Sequence, residues 1–135
     1  LCTNNENNIC EEVTYQRLVN IQNELPHNLK YFKTGLISKD VNVSLIDDLL
    51  DYIRPLVELE NTCDIDNSLM KIFLSEDEFD LFMADDKDIV LTRVFLASDI
   101  LLSSKQEQKL VKAKCEIIRI PEYYYRDELI ESGDI

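Results

Sequence analysis

Glycine is nearly missing from this chain, which has two, Gly35 and Gly133. A loop that cradles phosphate needs glycine where backbone N–H groups approach the ligand closely. Neither a G-x-G-x-x-G pattern nor a P-loop can be written with two. Three prolines, Pro26, Pro55 and Pro121, add little further turn chemistry. An all-β fold, which consumes many tight turns, is therefore disfavoured. Tryptophan is absent and His27 is the single histidine. One imidazole cannot build a His-rich metal site, and it would have to serve any Ser/His or Cys/His nucleophile pair alone. Next to Pro26 it reads as an exposed turn residue. Basic side chains are also scarce, 14 against 27 acidic, which leaves a formal charge of −13. Such a chain repels a phosphate backbone and an anionic membrane surface, so direct nucleic-acid binding is not expected. Its acidity serves solubility or steers it towards a protein with a basic surface.

The four cysteines, Cys2, Cys10, Cys63 and Cys115, form no C-x-x-C. In a secreted chain they could make two disulfides in three connectivities. Cys10 and Cys115 fall at apolar helical positions, where a thiol behaves as a small hydrophobe. That favours reduced cysteines in an intracellular protein, cytoplasmic or nuclear, with a secreted disulfide-bonded helical ligand as the alternative. Asn42-Val43-Ser44 matches the short glycosylation acceptor pattern. The chain opens on Leu1 and shows no signal-peptide pattern, and it is consistent with a fragment of a longer protein.

The longest apolar run, Asp88–Leu102, has Thr92, Arg93, Ser98 and Asp99 as its clearly polar members after Asp88. As a helix it would measure about 20 Å, too short to span a bilayer and too apolar for a wet surface. It is expected at the centre of the fold, wrapped by one-sided amphipathic segments. Residues 1–9 are Asn-rich and read as a flexible lead-in. Cys10, Thr14, Leu18, Ile21 and Leu25 then share a helical face that Pro26 ends. A Ser followed three residues later by an acid recurs at Ser44/Asp47, Ser75/Glu78 and Ser104/Glu107, the signature of a helix start.

After Ser44 an apolar stripe runs through Ile46, Leu49, Leu50, Ile53 and Val57, with Pro55 expected to kink or divide the helix. Asn61–Asn67 reads as a loop. A short helix carrying Leu69, Met70, Phe73 and Leu74 follows, and then the Ser75 helix with Phe79, Phe82 and Met83. Leu110, Val111, Cys115 and Ile118 form a later face among Lys105, Lys109, Lys112 and Lys114. A last helix covers Glu122–Glu131, with Gly133 as its stop. The expected fold is a single all-α domain over residues 1–135, a bundle of about five to seven helices around Asp88–Leu102. The alternative is α+β, with short strands near Ile89–Leu96 and Cys115–Ile120, where β-branched residues partly alternate.

Few residues point to chemistry. Asp64, Asp66 and Ser68 occupy the first, third and fifth places of a calcium-loop template, which then fails at Leu69, where Gly is needed, and at Ser75, where Glu is. No metal or cofactor is expected. Tyr123-Tyr124-Tyr125 cannot all be buried on one helix face, because adjacent residues project about 100° apart, and at least one ring should be exposed and suited to a protein contact. Glu76, Asp77 and Asp80 form an acidic helix face, solvated or docked on a basic partner. A central apolar helix wrapped by amphipathic ones resembles Bcl-2-like proteins in architecture, although the chain lacks the Gly-Arg pair of that family's groove. The expected function is a non-enzymatic protein-interaction module: a scaffold, a regulatory domain or subunit, or part of a larger assembly. A helical groove binder is its rival.

Overall fold

The computed structural model describes residues 3–37, 45–85 and 87–132. The chain forms two compact units, Leu1–Leu36 and Ile37–Ile135. In the first, the Asn-rich lead-in is used for capping. Asn4 Oδ1 accepts from the Glu6 N–H, and Asn5 Oδ1 accepts from the N–H groups of Cys10 and Glu11 at 3.0 and 3.3 Å. A π-helical stretch, Cys10–Tyr15, runs into α1, Gln16–Asn20, and a 3-10 turn, Ile21–Asn23. The helix expected before Pro26 is present, with an opening wound wider than an α-helix, and the expected face holds only as far as Leu18, before the chain tightens into the 3-10 turn. Cys10, Thr14 and Leu18 are half-buried, whereas Ile21 and Leu25 are exposed. Tyr31 stacks on Tyr15 with ring centroids 5.2 Å apart and donates to Glu11, which also pairs with Lys33.

The second unit is not all-α. It alternates helix and strand as α2 (Leu45–Asn61), β1 (Met70–Phe73), α3 (Glu76–Ala84), β2 (Arg93–Leu96), α4 (Ser104–Lys112), β3 (Glu116–Arg119) and α5 (Arg126–Ser132). The strands form a parallel sheet in the order β1-β2-β3, with Met70 opposite Arg93 and Arg93 opposite Glu116. Side chains alternate across it. Phe73, Val94 and Leu96 meet Phe79 and Met83 of α3 and Leu110 of α4 on one face. Phe95 and Ile120, with Ile72 and Ile118 beside them, meet Ile53 and Val57 of α2 on the other. α5 lies beside α2.

The expectation of an all-α bundle is thus overturned, and the reason lies in the central run. Of Asp88–Leu102, the middle sits at the centre as strand β2 rather than as a helix, and the rest forms flanking loops in which Val90 and Leu101 are exposed. A strand covered on both faces shows the same unbroken apolar sequence as a buried helix, and periodicity alone does not separate them. Val94, Phe95 and Leu96 are all fully buried although successive side chains point to opposite faces. β2 and β3 fall within the two segments that carried the α+β alternative. The helix expected at Leu69–Leu74 is β1. The face expected to run from Leu110 to Ile118 is broken, because α4 stops at Lys112 and Ile118 belongs to β3. Without a central helix, the likeness to Bcl-2-like proteins loses its basis.

Other expectations shift locally. α2 continues through Pro55 to Asn61. Ser75 is the N-cap residue of α3, but its side chain makes no cap bond. The capping box of α4 sits one residue earlier than expected, on Ser103 and Gln106. The stretch Glu122–Glu131 is a 3-10 turn, Glu122–Tyr124, followed by α5. Ser44, the acceptor pattern at Asn42–Ser44, Cys2 and Gly133 lie outside the described residues.

Glycine scarcity did not prevent a sheet, because parallel strands are joined through helices and need helix stops more than hairpin turns. Those stops use other residues. At the end of α4, Lys114 takes φ 57°, the Lys114 N–H donates to Val111 O at 3.0 Å, and the Cys115 N–H donates to Leu110 O at 3.0 Å. This is a Schellman motif, and buried Cys115 and Leu110 supply its apolar contact. At the end of α2, Thr62 takes φ 47° and the Cys63 N–H donates to Glu58 O at 3.1 Å.

Candidate functional site

In parallel α/β sheets, ligands bind beyond the carboxyl ends of the strands, in the crevice where strand order reverses. The order β1-β2-β3 contains no reversal. The loops at that edge are filled by the unit's own side chains. Tyr125 Oη lies 3.2 Å from the Ser98 N–H, which donates to it, and 3.0 Å from Ser98 Oγ. Arg119 donates to the carbonyls of Ala97 and Ile100 at 3.1 and 2.6 Å, pinning the loop between β2 and α4. The first turn of α4 is occupied by its capping box, and that of α3 holds Glu76, Asp77 and Glu78, whose charge already complements the helix dipole.

The tyrosine run follows β3 at this same edge. Tyr123 is 62% exposed and Tyr124 and Tyr125 are half-buried. All three hydroxyls are engaged within the unit. Tyr123 donates to Glu60 Oε1 at 3.1 Å and Tyr124 donates to Glu60 Oε2, so one α2 carboxylate holds both rings. Burial, then the bond to Glu60, raises the Tyr124 phenol well above its ordinary value. Beside them, Val57, Glu60, Asn61, Phe95, Arg119 and Pro121 help line a cleft of about 240 Å³. That is below the usual range of about 300–1,000 Å³ for small-molecule sites.

The acidic residues singled out from the sequence lie on α3, which follows β1, so they stand at the same carboxyl end but two strands away from β3. Glu76 and Asp77 are exposed in its first turn, and Asp80 accepts from Gln106 Nε2 of α4 at 2.6 Å. The sheet's strand order therefore separates them from the tyrosines. Of the basic group, Lys109 donates to the carbonyls of Met83 and Asp85 at the end of α3, where a cation meets the negative end of the dipole. Asp66 folds as a turn, accepting from the Ser68 hydroxyl at 2.6 Å and the Ser68 N–H at 3.0 Å. These bonds lower its pKa, the hydroxyl most. Among the described residues, no three His, Cys, Asp or Glu side chains are arranged to hold a metal ion. His27 is half-buried rather than exposed, with Nδ1 2.6 Å from the Leu25 carbonyl. Cys10, Cys63 and Cys115 carry thiols not joined in disulfides, and among the described residues no helix is long and apolar enough to cross a membrane.

One surface was missed in the sequence. α2 turns Ile53 and Val57 into the core, yet Tyr52, Leu56 and Leu59 stand 52%, 40% and 57% exposed on a second face. With half-buried Leu49 their spacing is three, four and three, the repeat of a helix seam. That repeat was available in the sequence but lay beside the stronger core stripe. Comparison with protein-family models, curated proteins and solved structures returned no match to this chain.

Proposed function

We propose that this chain is a non-enzymatic protein-interaction module, acting as a scaffold, a regulatory domain or a subunit of a larger assembly. The observation that carries this reading is the exposed apolar row Tyr52, Leu56 and Leu59 on α2, which the unit does not use for its own core. Aliphatic side chains held in a row by a rigid helix gain free energy only when something covers them, at about 25 cal/mol per Å² removed from water. The exposed ring of Tyr123, fixed through Glu60 to the same helix, adds a rigid amphipathic contact. That Cys10, Cys63 and Cys115 are not joined in disulfides fits a role inside the cell.

The test is affinity capture of the tagged chain from lysate of its own source, washed at about 0.1 M and then about 0.5 M salt, a range that shortens electrostatic reach more than twofold. The wild-type chain should retain a stoichiometric protein through both washes, and the Leu56→Asp/Leu59→Asp variant should not. Capture of no partner, or equal capture by the variant, would remove α2 as the interaction surface.

A further inference from the structure

We infer that the α2 row seats one amphipathic helix of a partner protein, whose apolar stripe is flanked by lysine or arginine. This rests on the interaction reading and specifies its partner. Geometry selects a helix. Leu49, Tyr52, Leu56 and Leu59 run along about 15 Å of α2 in one straight seam, the shape that an i, i+3, i+7 stripe of another helix complements. No other helix carries a row of this length. Leu81 is on α3, Val111 on α4 and Ile130 on α5, Leu69, Val90 and Leu101 lie in loops, and in the first unit the exposed aliphatics reach no more than i, i+4 pairs, Ile9 with Val13 and Ile21 with Leu25.

Charge selects the sign. Apart from the buried Glu58, the sequence of α2 holds Asp47, Asp48, Asp51 and Glu60 against Arg54 alone. Arg54 is spent on Glu58 and the Ile65 carbonyl. α5 beside it adds Asp127, Glu128 and Glu131, while Arg126 pairs with Glu122. A second copy laid α2 against α2 would set acid against acid. The lysine-rich α4 of a second copy has the right sign but the wrong face, since Leu110 is buried and Val111 is its one exposed aliphatic residue. A separate basic amphipathic helix satisfies both requirements, with apolar contact holding it and rim charge fixing its register and rejecting acidic competitors.

The probe is a labelled synthetic peptide of about 18 residues with leucine at heptad a and d positions and lysine at e and g, titrated against the full chain by fluorescence anisotropy. Two control peptides carry glutamate for lysine and serine for leucine. The lysine peptide should bind and gain helicity, and both controls should bind at least about tenfold more weakly. Leu56→Asp/Leu59→Asp, with unchanged circular dichroism of the chain alone, should weaken the lysine peptide by at least about tenfold, whereas Leu81→Asp/Val111→Asp should leave it unchanged. Equal binding by the α2 variant would reduce the effect to general attraction between acid and base and overturn the proposal. Equal binding of the glutamate peptide would overturn the basic flank. A dimer in sedimentation that Leu56→Asp/Leu59→Asp dissolves would make a second copy the occupant and also overturn it. A captured partner that needs Leu56 and Leu59 but contacts them through a non-helical or acidic segment would sink this inference while leaving the interaction reading intact.

Discussion

Glu58 is the one charged side chain buried among the described residues, 4% exposed on the inner side of α2. Its carboxylate accepts from the Ile65 N–H at 2.9 Å and from Arg54 Nε at 3.5 Å, so it ties α2 to the loop that leads into β1. Glu58→Ala would leave a buried N–H without its acceptor. We expect a loss of about 2–3 kcal/mol, seen as a lower urea midpoint at constant slope. Tyr124 makes a pH prediction. Its folded-state pKa is raised above the ordinary 10.0 by burial first and then by donation to Glu60. A raised folded pKa means that the unfolded chain releases the proton first. The contribution is therefore intact below about pH 10 and is lost as pH climbs beyond it towards the folded value. The urea midpoint should fall between about pH 9 and pH 11, and Tyr124→Phe should make that fall shallower. An identical pH dependence in the variant would place the titration elsewhere.

The helix ends show how a chain with almost no glycine stops its helices. Lys114 completes a Schellman motif in the left-handed region, where a side chain costs about 1–2 kcal/mol that glycine does not incur. Lys114→Gly should therefore stabilise the unit by about 1 kcal/mol, read as a higher midpoint in urea, partly offset by the greater freedom of glycine in the unfolded chain. Helix starts were more legible. The serine signature located the beginnings of α3 and α4 to within a residue, because the first-turn N–H groups of any helix need acceptors whatever it packs on. What the signature could not give was the use made of it. Ser103 closes a complete box with Gln106, while Ser75 makes no side-chain cap bond.

At the scale of the whole unit, β2 joins two half-cores. Val94 faces α3 and α4, and Phe95 faces α2, and both are fully buried. Substitution of either should destabilise the unit, by about 3–5 kcal/mol for Phe95→Ala and about 2 kcal/mol for Val94→Ala, in equilibrium denaturation. Tolerance of either would contradict a strand covered on both sides. Charge is distributed unevenly about the sheet. On one face the lysines of α4 lie beside the acidic α3, and on the other α2, with α5 beside it, is acidic. Partner chemistry therefore has to be argued helix by helix.

The sequence by itself determined that the apolar run around Val94–Leu96 is buried at the centre, that helices start near Ser75 and Ser104, that the tyrosine run leaves a ring exposed, and that the chain is strongly acidic. Each follows from local chemistry or composition, which no packing partner alters. Tertiary structure alone decided whether the central run is helix or strand, because burial on both sides erases the period that would tell them apart. It also decided that Glu60 holds Tyr123 and Tyr124, a pairing across more than 60 positions. And it left Tyr52, Leu56 and Leu59 outside, since a helix with two apolar faces does not announce which one the sheet will cover.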